Sequence, residues 1–204
     1  MPSRSPFTRQ SAVSDVENCP GRCYYLYIHN LQRRKGHIMA RIESAYFAGG
    51  CFWCITPTFK ETPGVLDVTS GYAGGDLENP TYKDVKSQKG GHRETIKIDF
   101  DSEIITFAEL FDIFLCGVNP FDEGGQFIDR GFSYTLAVYY TDIDQKFVAV
   151  DGIANIEKLS GMKAHISVEP YKNFYTAEEE HQDYYLKNPE EFHKELVESG
   201  RIKE

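Results

Sequence analysis

The sequence lacks the long apolar runs that would carry a chain into or across a membrane. No hydrophobic segment approaches the length of about 20 residues that a spanning helix needs. The stretch CYYLYIHNL is apolar but short, and His29 and Asn30 interrupt it. The amino terminus also has no apolar core of the kind that secretory signals carry. We therefore expect a cytoplasmic protein with no membrane partner.

Cysteine is scarce and odd in number, which argues against a disulfide framework. Five cysteines occur in 204 residues, and reduced thiols in a cytosol fit such a count better. Hydrophobic residues make up 41% of the chain and aromatic residues 14%. This supply is enough for a sizeable core, and we expect the protein to be a monomer.

Acidic residues outnumber basic residues in the chain, except at the amino terminus. The net charge is −9, yet residues 1–38 carry six basic and two acidic side chains, so the remainder carries −13. An acidic body does not suit a nucleic-acid partner. Residues 1–38 are rich in Ser, Arg and Pro and show no period. They predict an irregular extension before a folded domain of residues 39–204; a targeting arm is the alternative, although Asp15 and Glu17 do not fit a transit peptide.

Strand and helix patterns alternate after residue 38. Period-two alternation and β-branched residues predict strands in RIESAYFAG, GVLDVTSGYAGG, HRETIKIDFD, YTLAVYYTD and HISVEPY. Helical patterns begin at Cys51 and recur in ENPTYKDVKSQ, TFAELFDIFLCGV, DQKFVAVDGIANIEKLS and two C-terminal pieces divided at Pro189. The order β-α-β-β-α-β-α-β-α predicts an α+β fold, a two-layer α/β sandwich with a mixed sheet and a ferredoxin-like core.

The segment AYFAGGCFWC places Cys51 where a predicted strand meets a predicted helix. A helix start offers unpaired N–H groups and a positive dipole end, which favour a thiolate. Gly49 and Gly50 allow a sharp turn there. Cys54 is three residues further on, so on a helix it lies on the same face as Cys51 and within reach for a disulfide.

The two residues between the cysteines, Phe52 and Trp53, are large and aromatic. They suggest an apolar wall for something small bound at Cys51. A C-x-x-C spacing alone is equally compatible with a buried pair or a metal-binding pair. Zinc would need two more ligands, and the candidates Cys19 and Cys23 lie in the irregular extension.

Six segments together resemble the class A peptide methionine sulfoxide reductase family. They are GGCFWC, GVLDVTSGYAGG, NPTYKDV, GHRETIKIDFD, DRGFSYTLAVYY and FYTAEEEHQDYYLKNP, and they follow the order of the family. The resemblance covers residues 45–189. It implies that residues 39–204 form a catalytic domain that reduces methionine S-sulfoxide, free or in oxidised proteins, and so serves repair after oxidative damage.

The resemblance also implies a role for each matching residue. Cys51 corresponds to the nucleophile, and Glu94 to the acid that protonates the sulfoxide oxygen. The other matches are the wall around the S-methyl group, Phe52 and Trp53, and the groups that bind the oxygen, Tyr82, Asp129 and Tyr134. A carboxyl in a partly apolar pocket can stay protonated near neutral pH, and phenols can donate hydrogen bonds to the oxygen as it gains charge.

The reaction leaves a sulfenic acid on Cys51, which a second thiol converts into a disulfide with release of water. Many family members carry this thiol in a C-terminal tail, but here the chain ends VESGRIKE. We expect Cys54 to resolve the sulfenic acid; Cys116, expected to be buried at a helix end, and an external thiol are the alternatives. Thioredoxin or another dithiol would be the reductant, with no cofactor and no metal. We expect His181 to be structural or to line the pocket rim.

Two other function classes stay open from the residues alone. A general thiol–disulfide oxidoreductase would use the cysteine pair but would have no use for Glu94 or the aromatic pair. A zinc-binding or peptide-binding module would use no nucleophile at all.

Overall fold

A computed structural model describes residues 40–202. The predicted extension of residues 1–38, with Cys19 and Cys23, lies outside this range. The strands are β1 Ile42–Gly49, β2 Val65–Ala73, β3 Arg93–Asp101, β4 Gly125–Gln126, β5 Asp129–Arg130, β6 Leu136–Tyr140, β7 Ile166–Pro170 and β8 Phe174–Thr176. The α-helices are α1 Phe52–Lys60, α2 Tyr82–Lys86, α3 Phe107–Gly117, α4 Ile143–Ser160, α5 Tyr184–Lys187 and α6 Pro189–Glu198. Among these described helices, none has the length and apolar character needed to cross a membrane.

Six strands form one mixed sheet in the order β7-β6-β1-β3-β2-β8, and β4 and β5 pair separately. Neighbouring strands of the large sheet are antiparallel except β6 and β7, which are parallel. The prediction of an α+β fold with a mixed sheet is confirmed. The elements β1, α1, β2, β3, α3 and β6 follow the order β-α-β-β-α-β, on which the ferredoxin-like expectation rests; beyond that order it stays a prediction.

The core lies on both faces of β1, because alternate side chains of a strand point to opposite faces. On one face the Phe47 ring stacks on Phe114 of α3, 4.9 Å between ring centroids, and also contacts Phe59 of α1 at 6.0 Å. On the other face Tyr46 packs in a cluster with Tyr139 and three alanines, Ala48, Ala73 and Ala137. Each large apolar side chain buried in this way contributes about 1.5–3 kcal/mol, so the strand that leads to Cys51 is firmly held.

The helix boundaries follow from local chemistry. Thr106 caps α3, accepting from the Glu109 N–H at 3.2 Å while Glu109 accepts from the Thr106 N–H at 2.8 Å, a reciprocal pair that satisfies two free donors. Gly161 ends α4 in the left-handed conformation at φ 70°, which glycine adopts without strain. Both helices lie in the segments TFAELFDIFLCGV and DQKFVAVDGIANIEKLS, where the patterns predict them.

The first of the two predicted C-terminal helices is wrong. The segment contains the strand β8, a single 3-10 turn at Glu179–His181 and the four-residue α5. The Gln182 amide explains this, because it accepts from the Ser70 N–H and donates to the Ser70 carbonyl, both at 2.9 Å, and so holds the chain against the edge of β2. Asp183 then takes a left-handed conformation at φ 50°, which a continuous helix cannot contain. The helix α6 begins at Pro189, a favoured first residue.

Candidate active site

A tight turn carries the chain from β1 into α1 and places Cys51 at the N-cap of the helix. Gly50 has φ +80°, and a Cβ at this position would lie 2.6 Å from Cβ of Gln126. Only glycine therefore fits both the backbone and the space. The Cys54 N–H donates to the Cys51 carbonyl at 3.1 Å, so the two cysteines lie on one side of the first turn, as the spacing predicts.

The Cys51 thiol is buried, with 4% of the residue exposed. It donates to Oε1 of Glu195 at 3.8 Å, and Sγ of Cys51, Sγ of Cys54 and a Glu195 oxygen all lie within 4.8 Å of one another. A hydrogen bond with Cys54, burial and the nearby carboxyls of Glu94 and Glu195 raise the pKa of Cys51 well above its usual value. The expectation that the helix start lowers this pKa is therefore wrong, because the hydrogen bond with Cys54, burial and the neighbouring carboxyls outweigh the dipole.

Glu94 lies near the start of β3, the central partner of β1 and β2, and is 1% exposed. Its Oε2 accepts from the Phe52 N–H at 3.2 Å, and the Tyr134 hydroxyl donates to the same carboxyl. Burial raises the pKa of Glu94 to about 8, with a further contribution from Asp129. The carboxyl therefore holds its proton at neutral pH, as an acid next to the nucleophile requires.

The two predicted phenols come from different elements and share the same charged neighbours, Glu94 and Cys51. Tyr82 begins α2, and its N–H donates to Oε1 of Glu178 at 2.9 Å. Tyr134 ends a 3-10 turn that precedes β6. Burial and the charge of Glu94 raise the pKa of both hydroxyls, so both remain protonated donors across the physiological range.

Asp129, on the short strand β5, is the third predicted polar group. Burial raises the pKa of this carboxyl, while the cations Arg201 and Lys86 oppose the rise. Asp129 in turn acts electrostatically on Tyr82 and Tyr134. The structure thus brings all three predicted oxygen-binding residues to one cluster around Glu94.

Phe52 and Trp53 belong to an aromatic wall that also includes residues from the C-terminal segment. Trp53 stacks on Tyr184 with ring centroids 3.9 Å apart and planes 10° apart. Phe52 packs against Tyr82 at 6.4 Å, and Tyr82 against His181 at 4.3 Å. Burial lowers the pKa of His181 despite Glu178 and Glu180, so the imidazole is neutral. His181 therefore has the structural place in the wall that we expected.

Three site residues were not foreseen from the sequence. Tyr184 completes the wall, Glu195 contacts the nucleophile, and Glu178 accepts from both the Tyr82 N–H and the Tyr72 hydroxyl, the latter at 2.7 Å. Glu178 and Tyr184 lie in the matching segment FYTAEEEHQDYYLKNP, which could have drawn attention to them. Glu195 lies beyond it, and its only signal is its place three residues after the buried Phe192.

Cys116 was expected to be buried, and this is wrong. It lies near the end of α3 and is exposed, because the buried face of α3 consists of Phe107, Leu110, Phe111 and Phe114. Cys116 is also disulfide-bonded, so the expectation of reduced thiols does not hold for this residue. Within residues 40–202, one group of three ligand-type atoms is close enough to share an ion, that of Cys51, Cys54 and Glu195. A structural zinc site needs four protein ligands, so this group does not make one.

Comparison with known proteins agrees with this geometry. The family model described as peptide methionine sulfoxide reductase matches residues 43–203. The chain belongs to this family. The resemblance predicted from the motifs is therefore confirmed, and with it the class of enzyme, an oxidoreductase.

Relatives of this family share more than two fifths of their aligned residues with the chain. Peptide methionine sulfoxide reductase MsrA 2 of Staphylococcus aureus is 43% identical over 161 residues, which is 78% of this chain and 91% of the relative. MsrA of Halalkalibacterium halodurans is 42% identical over 163 residues, 79% of this chain and 93% of the relative. MsrA/MsrB of Vibrio cholerae is 43% identical over 79% of this chain, which spans only 43% of that longer relative.

Solved structures of the family have the same fold. Reduced Mxr1 from Saccharomyces cerevisiae aligns with a TM-score of 0.69 at 26% identity, covering 74% of this chain and 87% of Mxr1. Methionine sulfoxide reductase A of Corynebacterium diphtheriae aligns with a TM-score of 0.67 at 28% identity, covering 72% of this chain and 76% of that protein. The α+β architecture is thus common to all three.

Proposed function

We propose that this protein reduces methionine S-sulfoxide to methionine, both free and in oxidised proteins. Family membership supports the reaction class. The single observation that carries the proposal is the buried Glu94 carboxyl, which is protonated at neutral pH and hydrogen-bonded to the residue after Cys51. A disulfide reductase has no need of such an acid, whereas a sulfoxide oxygen must gain a proton before it can leave sulfur.

The first step joins the nucleophile and the acid. Cys51 attacks the sulfoxide sulfur, Glu94 gives its proton to the oxygen, and Tyr82 and Tyr134 donate hydrogen bonds to that oxygen as it gains charge. Phe52 and Trp53 hold the S-methyl group against their apolar faces. Methionine departs, and the oxygen remains on Cys51 as a sulfenic acid.

The second step uses Cys54. Its sulfur lies within 4.8 Å of Sγ of Cys51, so attack on the sulfenic acid needs only a small rotation of side chains. A Cys51–Cys54 disulfide forms and water leaves. Thioredoxin or another dithiol then reduces this bond, since such short-range bridges are readily reducible.

The test supplies each sulfoxide epimer separately with dithiothreitol and measures the methionine formed. The S epimer should be reduced and the R epimer left unchanged. The matched control Cys51→Ser should produce no methionine from either. Failure on the S epimer, or full activity of Cys51→Ser, would overturn the proposal.

The proximity of the two thiols favours one alternative, a general thiol–disulfide oxidoreductase. Such an enzyme would reduce insulin-type protein disulfides with thioredoxin-like efficiency. Glu94→Ala separates the two functions, because a disulfide reductase should keep its activity in this variant. The proposed sulfoxide reductase should lose it.

The setting of the enzyme completes the proposal. Cys51 and Cys54 are both free thiols in the structure, whereas Cys116 is disulfide-bonded. We propose the cytoplasm because the chain has few cysteines and an odd number of them. We further propose that the enzyme acts as a monomer, that residues 39–204 form its catalytic domain, and that residues 1–38 are an extension of it.

A further inference from the structure

We propose that Glu195 is a second catalytic carboxyl, which accepts the proton of the Cys51 thiol as the sulfur attacks the sulfoxide. The inference rests on the proposed reductase function and deepens it. It gives the two acidic residues that flank Cys51 opposite roles: Glu94 gives a proton to the oxygen, and Glu195 takes one from the nucleophile.

The contact that carries the inference is the one between α6 and the nucleophile. The Cys51 thiol donates to Oε1 of Glu195 at 3.8 Å. No step of the reaction described so far uses this carboxyl. Glu94 is not available as the acceptor, because it is itself protonated at neutral pH and accepts from the Phe52 N–H at 3.2 Å.

The site needs such a base. The environment of Cys51 disfavours the thiolate, so at neutral pH the residue is a thiol, and the thiol is the weaker nucleophile. Proton removal during attack makes the thiolate only when it is used. Two carboxyls whose surroundings separate their protonation states can divide the acid and base roles in this way.

The charges around Glu195 set how strongly it holds a proton. The titratable and charged groups that face it from the neighbouring elements are Cys51, Cys54, Tyr82, Lys86, Asp129, Tyr184 and Arg201. Burial and the charge of Asp129 raise the pKa of Glu195. The hydrogen bond that Glu195 accepts from Cys51 opposes this rise, and so do the positive charges of Arg201 and Lys86. A more basic carboxylate is a better acceptor for a thiol proton, because the difference between the two pKa values is smaller.

The proton transfers balance over the two chemical steps. In the first, the Cys51 proton moves to Glu195, the Glu94 proton moves to the sulfoxide oxygen, and the S–O bond passes from methionine to Cys51. In the second, Cys54 attacks Cys51 and the S–OH bond breaks. The leaving oxygen takes the proton from Glu195 and departs as water, and the Cys54 proton returns the Glu94 carboxyl to its neutral form. Methionine sulfoxide is reduced, and the two thiols are oxidised to a disulfide.

The experiment measures the first turnover of the full chain, mixed rapidly with methionine S-sulfoxide and without reductant, from pH 6 to pH 9. Glu195→Gln should slow formation of the first methionine at pH 7 by about 10²–10⁴-fold, the usual range for a lost general base. The ratio of wild-type to variant rate should narrow as pH rises, because hydroxide then forms the thiolate. Glu195→Asp should retain part of the rate, since the carboxylate remains.

Glu198→Gln is the matched control, since it removes the same charge from an exposed position of the same helix. It should leave the rate unchanged at every pH. Circular dichroism and the fluorescence of Trp53, the single tryptophan of the chain, should show that Glu195→Gln is folded. Alkylation of Cys51 by iodoacetamide should shift to lower pH in Glu195→Gln, because a neighbouring negative charge is gone.

These readouts separate a base from a mere neighbouring charge. If Glu195 only repelled the thiolate, Glu195→Gln would accelerate the first turnover, and that result would overturn the proposal. A slow rate whose ratio to wild type is independent of pH would also overturn it, because it would indicate misplacement of Cys51. No methionine from the wild-type protein would instead overturn the proposed function itself.

Discussion

The two sides of Cys51 are built in different ways. The oxygen side consists of Glu94, Tyr82 and Tyr134. Glu94 lies on β3, in the middle of the six-stranded sheet, where β3 pairs with both β1 and β2. The thiol side is carried by the C-terminal residues 174–202, which contain a three-residue strand, a 3-10 turn and two helices. The strand β8 pairs with β2 at the edge of the sheet, and the residues after it reach the site through side-chain contacts such as the Trp53–Tyr184 stack at 3.9 Å.

This difference indicates which part of the enzyme can vary. A shift of β3 would disturb two neighbouring strands and the core, so the acid is fixed by the fold. The part of the C-terminal segment that follows β8 contacts the site through side chains such as Glu178, Tyr184 and Glu195, and it can change without breaking the pairing of the strands. Substitutions of the oxygen-side residues and of Glu195 should slow the first chemical step, whereas those of the C-terminal aromatic residues should weaken substrate binding.

The largest effect should come from the acid. Glu94→Gln keeps the shape and can still accept from the Phe52 N–H, but it has no proton to give. The first-turnover rate at pH 7 should fall by about 10²–10⁴-fold. The wild-type rate should itself decline above about pH 8, where Glu94 ionises. Rapid-mixing assays of methionine formation across this range would check both outcomes, and a wild-type rate that keeps rising past pH 9 would contradict them.

Ionisation of the Glu94 carboxyl should also make the stability of the folded protein depend on pH. Its pKa rises from 4.5 to about 8 on folding, so the folded state binds the proton more tightly and loses stability relative to the unfolded state as pH rises between these values. Glu94→Gln cannot ionise and should escape this loss. In thermal unfolding, the Tm of Glu94→Gln minus the Tm of the wild type should increase from pH 5 to pH 8. A Tm difference that does not change with pH would contradict the raised pKa of Glu94.

The next largest effect should be the loss of thioredoxin-driven recycling when Cys54 is replaced. Cys54→Ser should still form one methionine per enzyme, because Cys51 and Glu94 remain, but turnover driven by thioredoxin should fall by about tenfold or more, since no neighbouring thiol resolves the sulfenic acid. Cys116→Ser, a change at an exposed position, should cycle at the wild-type rate. Unchanged cycling of Cys54→Ser would assign resolution to another thiol.

The contrast between the two sides also explains what the sequence can predict. Glu94 and Cys51 lie on elements with a clear period or a glycine signal, and the motif order that resembles the family places them. The C-terminal segment has no such signal, and its composition favours helix. Tertiary contacts override this preference at Gln182, whose amide pairs with Ser70 of β2.

Electrostatics is the other part that the sequence could not supply. A helix start favours an anion, and that is all the sequence shows of Cys51. A hydrogen bond with Cys54 and burial raise the pKa of Cys51 most, and the carboxyls of Glu94 and Glu195 add to the rise. Glu195 lies 144 residues from Cys51 along the chain, and no local pattern shows that the two residues meet.

The two phenols should have smaller and distinct effects. Tyr134→Phe and Tyr82→Phe should each slow the first turnover by about tenfold, because each removes one donor to the oxygen. Tyr134 also donates to Glu94 and thereby lowers the pKa of that carboxyl. Tyr134→Phe should therefore shift the alkaline decline of the rate to higher pH. Tyr82→Phe is the matched comparison, as it removes the other phenol and leaves that hydrogen bond. Equal pH profiles for the two variants would contradict this assignment.

The smallest effect should come from the thiol side of the aromatic wall. Tyr184→Ala removes the ring stacked on Trp53, and aromatic pairs of this kind contribute about 0.5–1.5 kcal/mol. KM for the sulfoxide should therefore rise by a few fold, on the order of that energy, while the rate of the first turnover at saturation should hardly change. Trp53 is the only tryptophan, so its emission should shift to longer wavelength as water reaches the ring. Tyr184→Phe keeps the stack and should match the wild type in both readouts. A loss of saturated rate in Tyr184→Ala as large as that in Tyr134→Phe would show that the two sides of the site are not separable, because the wall would then be aligning the reacting atoms as well as binding the methyl group.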